Sequence, residues 1–93
     1  MHDKRSVQRI QMEVPVHLAN ANGMTRDISG SGIFFVTDHS YALGENISFS
    51  LDLNYAFPGQ PLHLDCFGQV KRIESIGDQV GVAAQIERIS CLH

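Results

Sequence analysis

The amino-acid sequence predicts a single all-β domain, folded as a six-stranded antiparallel β-barrel. Hydrophobic and polar residues alternate along the segments 13–19, 47–53 and 80–86, which is the period-two pattern of half-buried strands. Clusters of Gly, Asn, Asp, Ser and Pro separate the apolar segments and predict short connections. Such strands would leave exposed edges unless the sheet curls and closes, so a small barrel is the expected architecture. The length of 93 residues suits one hydrophobic core.

The first strand presents Val14, Val16 and Leu18 on its apolar face. Pro15 has no N–H to donate to a neighbouring strand, which predicts an open side of the sheet at that residue. The sequence Asn-Ala-Asn-Gly that follows the first strand predicts a tight hairpin. The hairpin leads into a second strand over residues 24–28.

The middle of the chain predicts two more strands. The unbroken apolar run Ile33–Val36 follows Gly32 and precedes polar residues, so we expect a third strand that is buried on both faces. The fourth strand, Ile47–Leu53, has the cleanest alternation in the chain and predicts one apolar and one polar face. A loop with two prolines and a glycine follows over residues 54–61.

The last two strands follow that loop. In the stretch Leu62–Glu74 the apolar residues keep one parity and lose it at Ile73, which predicts a bulge or bend after Gly68. A turn over residues 75–79 leads to the last alternating strand, Val80–Ile86.

The 93 residues therefore form one domain with three parts: an N-terminal arm over 1–12, the barrel over 13–87 and a short tail over 88–93. The arm is polar and has few apolar anchors, so we expect it to be mobile until a ligand orders it. After Ile89 the tail has room for at most a turn or two of helix.

The composition is that of a globular domain and excludes several classes of protein. Hydrophobic residues make up 43% of the chain, which is too apolar for a disordered protein, and no apolar run is long enough to cross a bilayer. The formal net charge of −3 argues against DNA or RNA as a partner, because a polyanion needs a broad cationic surface. The basic residues near the N-terminus are not followed by an apolar segment, so we expect a cytoplasmic protein without a secretory signal.

The sequence also lacks the signatures of catalysis and of metal binding. It contains no GxSxG, no HExxH and no Gly-rich phosphate loop, and no two of its five histidines stand at a metal-ligand spacing. We therefore expect no enzyme activity, no metal and no cofactor. Cys66 and Cys91 form neither a CxxC pair nor a disulfide framework, and Cys66 is expected to be a small buried hydrophobic residue.

Two short motifs remain. Arg5 and Arg9 form an RxxxR pair before the first strand, and Asp27, Ser29 and Gly32 form a DxSxxG sequence where the second strand ends. Each motif has a plain structural interpretation. Arginines often decorate a solvated arm, and DxSxxG suits a capped turn in which Asp and Ser bond local backbone and Gly supplies a positive φ.

In this order and in this strand context, the two motifs resemble the hallmark of the PilZ domain family, an RxxxR segment followed by D/N-x-S-x-x-G on a β-barrel. The likeness covers essentially the whole chain, since the run Ile33–Val36, the segment Val70–Ile73 and the strand Gly81–Ile86 each look like their family counterparts. The resemblance implies a PilZ-type barrel that serves as a bacterial receptor for cyclic di-GMP, with a protein effector as a further partner. The chain departs from the family pattern in its shortened C-terminal helix and in having no attached effector or catalytic domain.

The residue types of the motifs suit cyclic di-GMP. A guanidinium fork matches both a phosphate and the O6/N7 edge of guanine, so Arg5 and Arg9 could clamp one ligand together. The carboxylate of Asp27 suits the N1 and N2 donors of guanine, Ser29 adds an adjustable hydroxyl, and Gly32 lets the backbone come close. Folding of the arm over the nucleotide is the expected switch.

Lys4 directly precedes the first arginine. In the PilZ family a basic residue at this position is associated with the binding of two stacked ligand molecules. The resemblance therefore adds Lys4 to the predicted ligand contacts, with either one or two ligands per chain.

Two other functions stay open at this point. A PilZ-like adaptor would bind a protein and no nucleotide, and its arginines would be incidental. An OB-like or cold-shock-like barrel would bind single-stranded RNA, which requires several exposed aromatic residues and a cationic groove. The chain has 8% aromatic residues, no Trp and a negative net charge, which disfavours RNA. The sequence does not indicate which process the domain controls. The alternatives are motility or biofilm regulation, polysaccharide export, adhesion and transcription.

Overall fold

A computed structural model describes residues 10–11, 13–52 and 63–92, and every regular element within these ranges is a β-strand. The strands are β1 (Ile10–Gln11), β2 (Pro15–Leu18), β3 (Asn22–Ile28), β4 (Gly32–Thr37), β5 (Asn46–Asp52), β6 (His63–Ile76) and β7 (Gln79–Leu92). No helix suited to crossing a membrane occurs in these three ranges.

Six of the strands close into an antiparallel barrel, as the sequence predicts. Their order is β3-β2-β5-β6-β7-β4, and β4 pairs with β3 to complete the ring. Strand β1 pairs with the end of β3, beyond the last residue that β2 pairs there. Ile10 and Gln11, which the sequence assigned to a mobile arm, are therefore part of the sheet, because β3 is longer than β2 and offers them an unused edge.

The core fills the inside of the ring with the apolar residues that alternate along each strand. Its buried members are Val14, Val16, Ile33, Phe35, Ile47, Phe49, Leu51, Cys66, Val70, Val82 and Ala84. Phe35 is fully buried, with its ring centroid 6.3 Å from that of Phe49 and 6.4 Å from that of Tyr41. The polar residue Thr25 fits inside because its hydroxyl oxygen accepts the Val14 N–H at 2.9 Å.

The predicted hairpin between the first two strands is present. Strand β2 pairs with β3 from Pro15 and with β5 from Val16 onward, so the open side predicted at Pro15 is limited to the edge that faces β5. The run Ile33–Val36 lies in β4, where Ile33, Phe35 and Val36 are buried and Phe34 is only partly buried, so the predicted burial on both faces holds only in part.

Strands β6 and β7 form a long hairpin of 14 residues each. Its two-residue turn has Gly77 at φ 60°, a backbone conformation that favours glycine. The irregularity predicted near Gly68 is confirmed, because the register shifts between Phe67 and Gly68 and again between Val70 and Arg72.

The C-terminal part of the chain differs from the expectation of a short tail or a turn of helix. Strand β7 continues to Leu92, and its last residues pair with the start of β6. The cause is a bulge at Glu87, since Ile86 pairs with Gly68 and Arg88 pairs with Phe67. One extra residue separates Ile86 from the next alternating segment, so the period-two pattern is interrupted in the sequence while the ladder continues in space.

Candidate functional site

The DxSxxG residues lie around the turn that joins β3 to β4. Asp27 is the second-last residue of β3, Ser29 begins the turn, and Gly32 is the first residue of β4. Lys4, Arg5 and Arg9 lie outside the described residues, and their roles as ligand contacts stay predictions.

A bulge in β3 directs the Asp27 side chain to the outside of the barrel. Thr25 pairs with Phe35, and Asp27 pairs with Phe34, so Arg26 is an extra residue between them. Directly opposed residues on neighbouring strands share a face, and Phe35 is an inward, fully buried residue. Asp27 therefore shares the outer face with Phe34. Without the bulge, strict alternation from Thr25 would turn the carboxylate into the core.

Ser29 holds the turn together, as the structural interpretation of the motif predicts. Its N–H donates to the Gly32 carbonyl oxygen at 2.8 Å, and its Oγ accepts the N–H of Gly32 at 3.1 Å and that of Ser31 at 3.4 Å. The Ser31 carbonyl oxygen accepts the Ile86 N–H at 2.9 Å, which fastens the turn to β7. These bonds preset the backbone of the motif.

Gly32 does not supply a positive φ, so that part of the capped-turn interpretation is wrong. Among the described residues the positive-φ positions are Gly44 and Gly77. A Cβ on Gly32 would lie 3.4 Å from the Ala84 carbonyl oxygen and 3.8 Å from the Ser29 Oγ, which are ordinary contacts. The fold itself thus tolerates a side chain at Gly32. What the glycine provides is a stretch of backbone that no side chain covers on the outer surface of the turn.

Strand β1 connects the motif to the N-terminal segment of the chain. Gln11 pairs with Asp27 and Ile10 pairs with Ile28. Ile10 is the residue that follows Arg9 in the sequence. A depression of about 390 Å³ lies at this junction and is lined by Gln11, Glu13, Arg26 and Asp27. Asp27 of the motif therefore borders a depression beside β1, the strand that directly follows the RxxxR segment in the sequence.

A second depression begins at the other side of the turn. It measures about 290 Å³, and its lining residues are Ser31, Gly32, Ile33, Phe34, Lys71, Arg72, Ala83, Ala84 and Gln85. We call it the Phe34 groove. Arg72 places its guanidinium carbon 5.9 Å from the centroid of the Phe34 ring. The sequence did not indicate Phe34, Arg72 and Gln85 as candidate site residues, because they lie near the motif only through strand register.

A third depression, about 690 Å³, lies elsewhere and crosses β2, β5, β6 and β7. Arg88 lies at its edge, with its guanidinium carbon 5.3 Å from the centroid of the Phe67 ring. None of the described motif residues lines this depression. Nothing in its lining therefore connects this depression with the motif.

The described part of the chain holds no cluster of three or more His, Cys, Asp or Glu side chains that could bind a metal ion. Cys66 is 4% exposed, and burial, with the neighbouring Asp65 charge adding to it, raises the pKa of its thiol to about 11. Such a thiol is protonated near neutral pH and packs as a small apolar group, as predicted.

Comparison with known proteins agrees with the family that the two motifs resemble. The sequence matches the PilZ domain over residues 3–91. No curated protein matches the chain. Ten chains of solved structures are similar to it, among them the Bacillus subtilis inhibitor of motility MotI/DgrA. That structure has a TM-score of 0.82 at 17% sequence identity, with 96% of this chain covered. This chain spans 45% of the Bacillus chain. The family match over nearly the whole sequence, on a barrel of matching shape, shows that the chain belongs to the PilZ domain family.

Proposed function

We propose that this chain binds cyclic di-GMP and acts as a receptor domain that signals to a protein effector. The observation that carries the proposal is the pairing of β1 with β3, because Gln11 pairs with Asp27 in the motif and Ile10 directly follows Arg9. The pairing brings the residues that follow the RxxxR segment next to the second motif, which supports a site in which both halves of the family hallmark contact one ligand. PilZ domains are receptor and adaptor domains, and the family match indicates no catalytic class.

The chemistry of this corner suits a dianionic purine ligand. The guanidinium groups of Arg5 and Arg9 would bind phosphate or the O6/N7 edge of guanine. Asp27 would accept hydrogen bonds from guanine N1 and N2, and cyclic di-AMP lacks that pair of donors. The preset turn at Ser29 lowers the cost of ordering the site when ligand binds.

Gly32 supports close approach of the ligand to the backbone. Neither its φ nor packing within the barrel requires a glycine there. Open space beside a turn held by its own hydrogen bonds suits a bulky ligand that rests against the main chain.

The proposed receptor would act in the cytoplasm, the location that the sequence predicts, and its output would depend on a protein partner. The similar Bacillus chain is described as an inhibitor of motility. Motility is therefore the first process in which to look for a phenotype of this protein.

Isothermal titration of cyclic di-GMP into the wild-type chain, Arg9→Ala and Asp27→Ala tests the proposal. The loss of one bidentate contact, worth about 1–3 kcal/mol, should weaken binding by about 5- to 150-fold. Cyclic di-AMP serves as the control ligand, and Arg5→Ala with Arg9→Ala should abolish detectable binding. Equal heats from the wild type and all variants, or equal heats from both nucleotides, would contradict the proposal.

The adaptor alternative gives a different result in the same titration. A PilZ-like adaptor would release no heat with cyclic di-GMP, while its circular dichroism spectrum would still show the folded β-barrel. The stoichiometry of a positive titration would decide between one and two ligands per chain, the question that Lys4 raises.

A further inference from the structure

We propose that Phe34 and Arg72 form a flat platform on the outer face of the barrel and that a purine base of the cyclic dinucleotide stacks on it. The inference rests on the proposed function and adds a base-stacking pair to the same site. Neither residue belongs to the two sequence motifs.

Strand register places the platform in one row with the motif. Gln11 pairs with Asp27, Asp27 with Phe34, Phe34 with Ala83 and Ala83 with Arg72. Opposed residues on adjacent strands point to the same face, so this row crosses five strands on the outside of the barrel. Adjacent strands lie about 4.8 Å apart, so a ligand held at Asp27 would reach the ring of Phe34 on the next strand.

The geometry of the pair presents a planar cation. The guanidinium carbon of Arg72 lies 5.9 Å from the Phe34 ring centroid, within the range of a cation–π contact. Arg72 Nη2 also donates to Glu74 Oε2 at 3.3 Å. The Arg72 side chain is nevertheless 65% exposed, so it is held from two sides and remains accessible.

Small residues make room for the platform. Ala83 stands between Phe34 and Arg72 in the row and leaves space for the guanidinium to reach the ring. A Cβ on Gly81 would lie 2.6 Å from Phe34 Cζ and 2.8 Å from Ile76 Cδ1, so the ring occupies the volume that a side chain at Gly81 would need. The Phe34 groove thus runs between the motif turn and the platform.

The chemistry of the platform favours a flat base over a non-planar group. Bases stack on aromatic rings and on guanidinium planes, and each such contact is favourable without being sequence-specific. Lys71 and Arg72 both line the Phe34 groove, so it also attracts an anionic ligand. A dianionic compound with flat purine rings meets both conditions.

The test compares two arginines that each lie over a phenylalanine. Arg72→Lys keeps the charge and removes the plane, and we expect it to weaken cyclic di-GMP binding by roughly 2- to 30-fold. Phe34→Leu should weaken binding to a similar extent. Arg88→Lys makes the same change over Phe67, outside the site, and should leave the affinity unchanged.

Fluorescence of a cyclic dinucleotide that carries 2-aminopurine gives a readout specific to stacking. The wild-type chain should quench it on binding, and Arg72→Lys should quench it less even at saturation. Thermal melting measures whether each variant is folded. Because the Arg72 side chain is exposed, Arg72→Lys should not change the stability of the barrel.

The outcomes separate the platform from the proposed function. If Arg72→Lys and Phe34→Leu bind like the wild type while Asp27→Ala binds weakly, the receptor function stands and the platform is overturned. If Arg88→Lys weakens binding as much as Arg72→Lys, the effect is general and the platform is overturned as well. A wild-type chain that binds no cyclic di-GMP overturns both.

Discussion

The turn between β3 and β4 contains a pair of glycines that differ in their surroundings. Gly30 and Gly32 stand two residues apart, and neither has a positive φ. A Cβ on Gly30 would meet nothing within 4 Å, and one on Gly32 would make only ordinary contacts. The two positions are therefore alike for the fold. They differ in their surroundings, because Gly32 lines the Phe34 groove and Gly30 does not.

We expect Gly32→Ala to reduce the affinity for cyclic di-GMP by at least about tenfold, which corresponds to about 1.4 kcal/mol. The free energy of unfolding should change by less than about 1 kcal/mol, because the backbone conformation accepts alanine. Titration calorimetry and urea denaturation measure the two quantities. Gly30→Ala is the matched control and should bind like the wild type. Equal affinities for all three chains would show that the glycine does not serve the ligand.

Cys66 ties a single buried group to the pH dependence of stability. Burial raises the pKa of its thiol in the folded chain to about 11, above its value in the unfolded chain. The folded state thus holds the proton more tightly than the unfolded state. This contribution to stability is fully present below the unfolded pKa and is lost as the pH rises toward the folded pKa.

The stability difference between wild type and Cys66→Ala should therefore narrow from pH 8 to pH 10.5, by up to about 1.4 kcal/mol per pH unit. Urea denaturation at several pH values measures it. Other titrating groups, including the partly buried Tyr41, occur in both chains and cancel in the comparison. A difference that stays constant with pH would contradict the assignment of a strongly raised thiol pKa.

At the scale of elements, the β6–β7 hairpin supplies two of the six barrel strands and contains two bulges. Glu87 is the extra residue on β7, and Lys71 is the extra residue on β6. The shift at Lys71 brings Arg72 opposite Ala83 and so aligns it with the row that contains Asp27. The hairpin therefore both closes the core and sets the face on which Arg72 points.

Gly68 allows the backbones of this hairpin to approach each other. A Cβ there would overlap the carbonyl oxygen of Gln85, a backbone atom that cannot move aside cheaply. We expect Gly68→Ala to lower the free energy of unfolding by about 1–3 kcal/mol, or more if β7 must shift. Urea denaturation measures the loss, with Gly30→Ala as a control of equal size. Similar midpoints for both variants would show that the strands separate easily.

At the scale of the whole molecule, closure of the ring brings the motif, β1 and the Phe34 groove to one corner. The pairing of β3 with β4 completes the barrel, and the motif turn connects these two strands. The Ser31 carbonyl oxygen, bonded to Ile86 N–H, links this corner to the long hairpin as well. A ligand that orders the corner would therefore stabilise several strands at once.

Much of this architecture was predictable because it is encoded locally. Alternation along Ile47–Leu53 identified β5, the Asn-Ala-Asn-Gly sequence identified the β2–β3 hairpin, and the loss of parity at Ile73 identified an irregularity of β6 after Gly68. The candidate site was predictable in part. The DxSxxG spacing predicted Asp27, Ser29 and Gly32 as candidate site residues, whereas nothing in the sequence pointed to Phe34 and Arg72.

By itself the sequence determined the six barrel strands as far as Ile86, their turns, the burial of Cys66 and the motif that identifies the family, because each of these depends on residues that are near neighbours in the chain. It did not reveal β1 or the end of β7, which depend on pairing with other strands. Only the tertiary structure decided which distant residues share a face. A bulge adds one residue to a strand and reverses the facing of everything after it, as Arg26 does for Asp27 and Glu87 does for Ile89. The row from Asp27 through Phe34 to Arg72 exists because the pairing energy of whole strands selects their register. A short sequence pattern cannot predict that register.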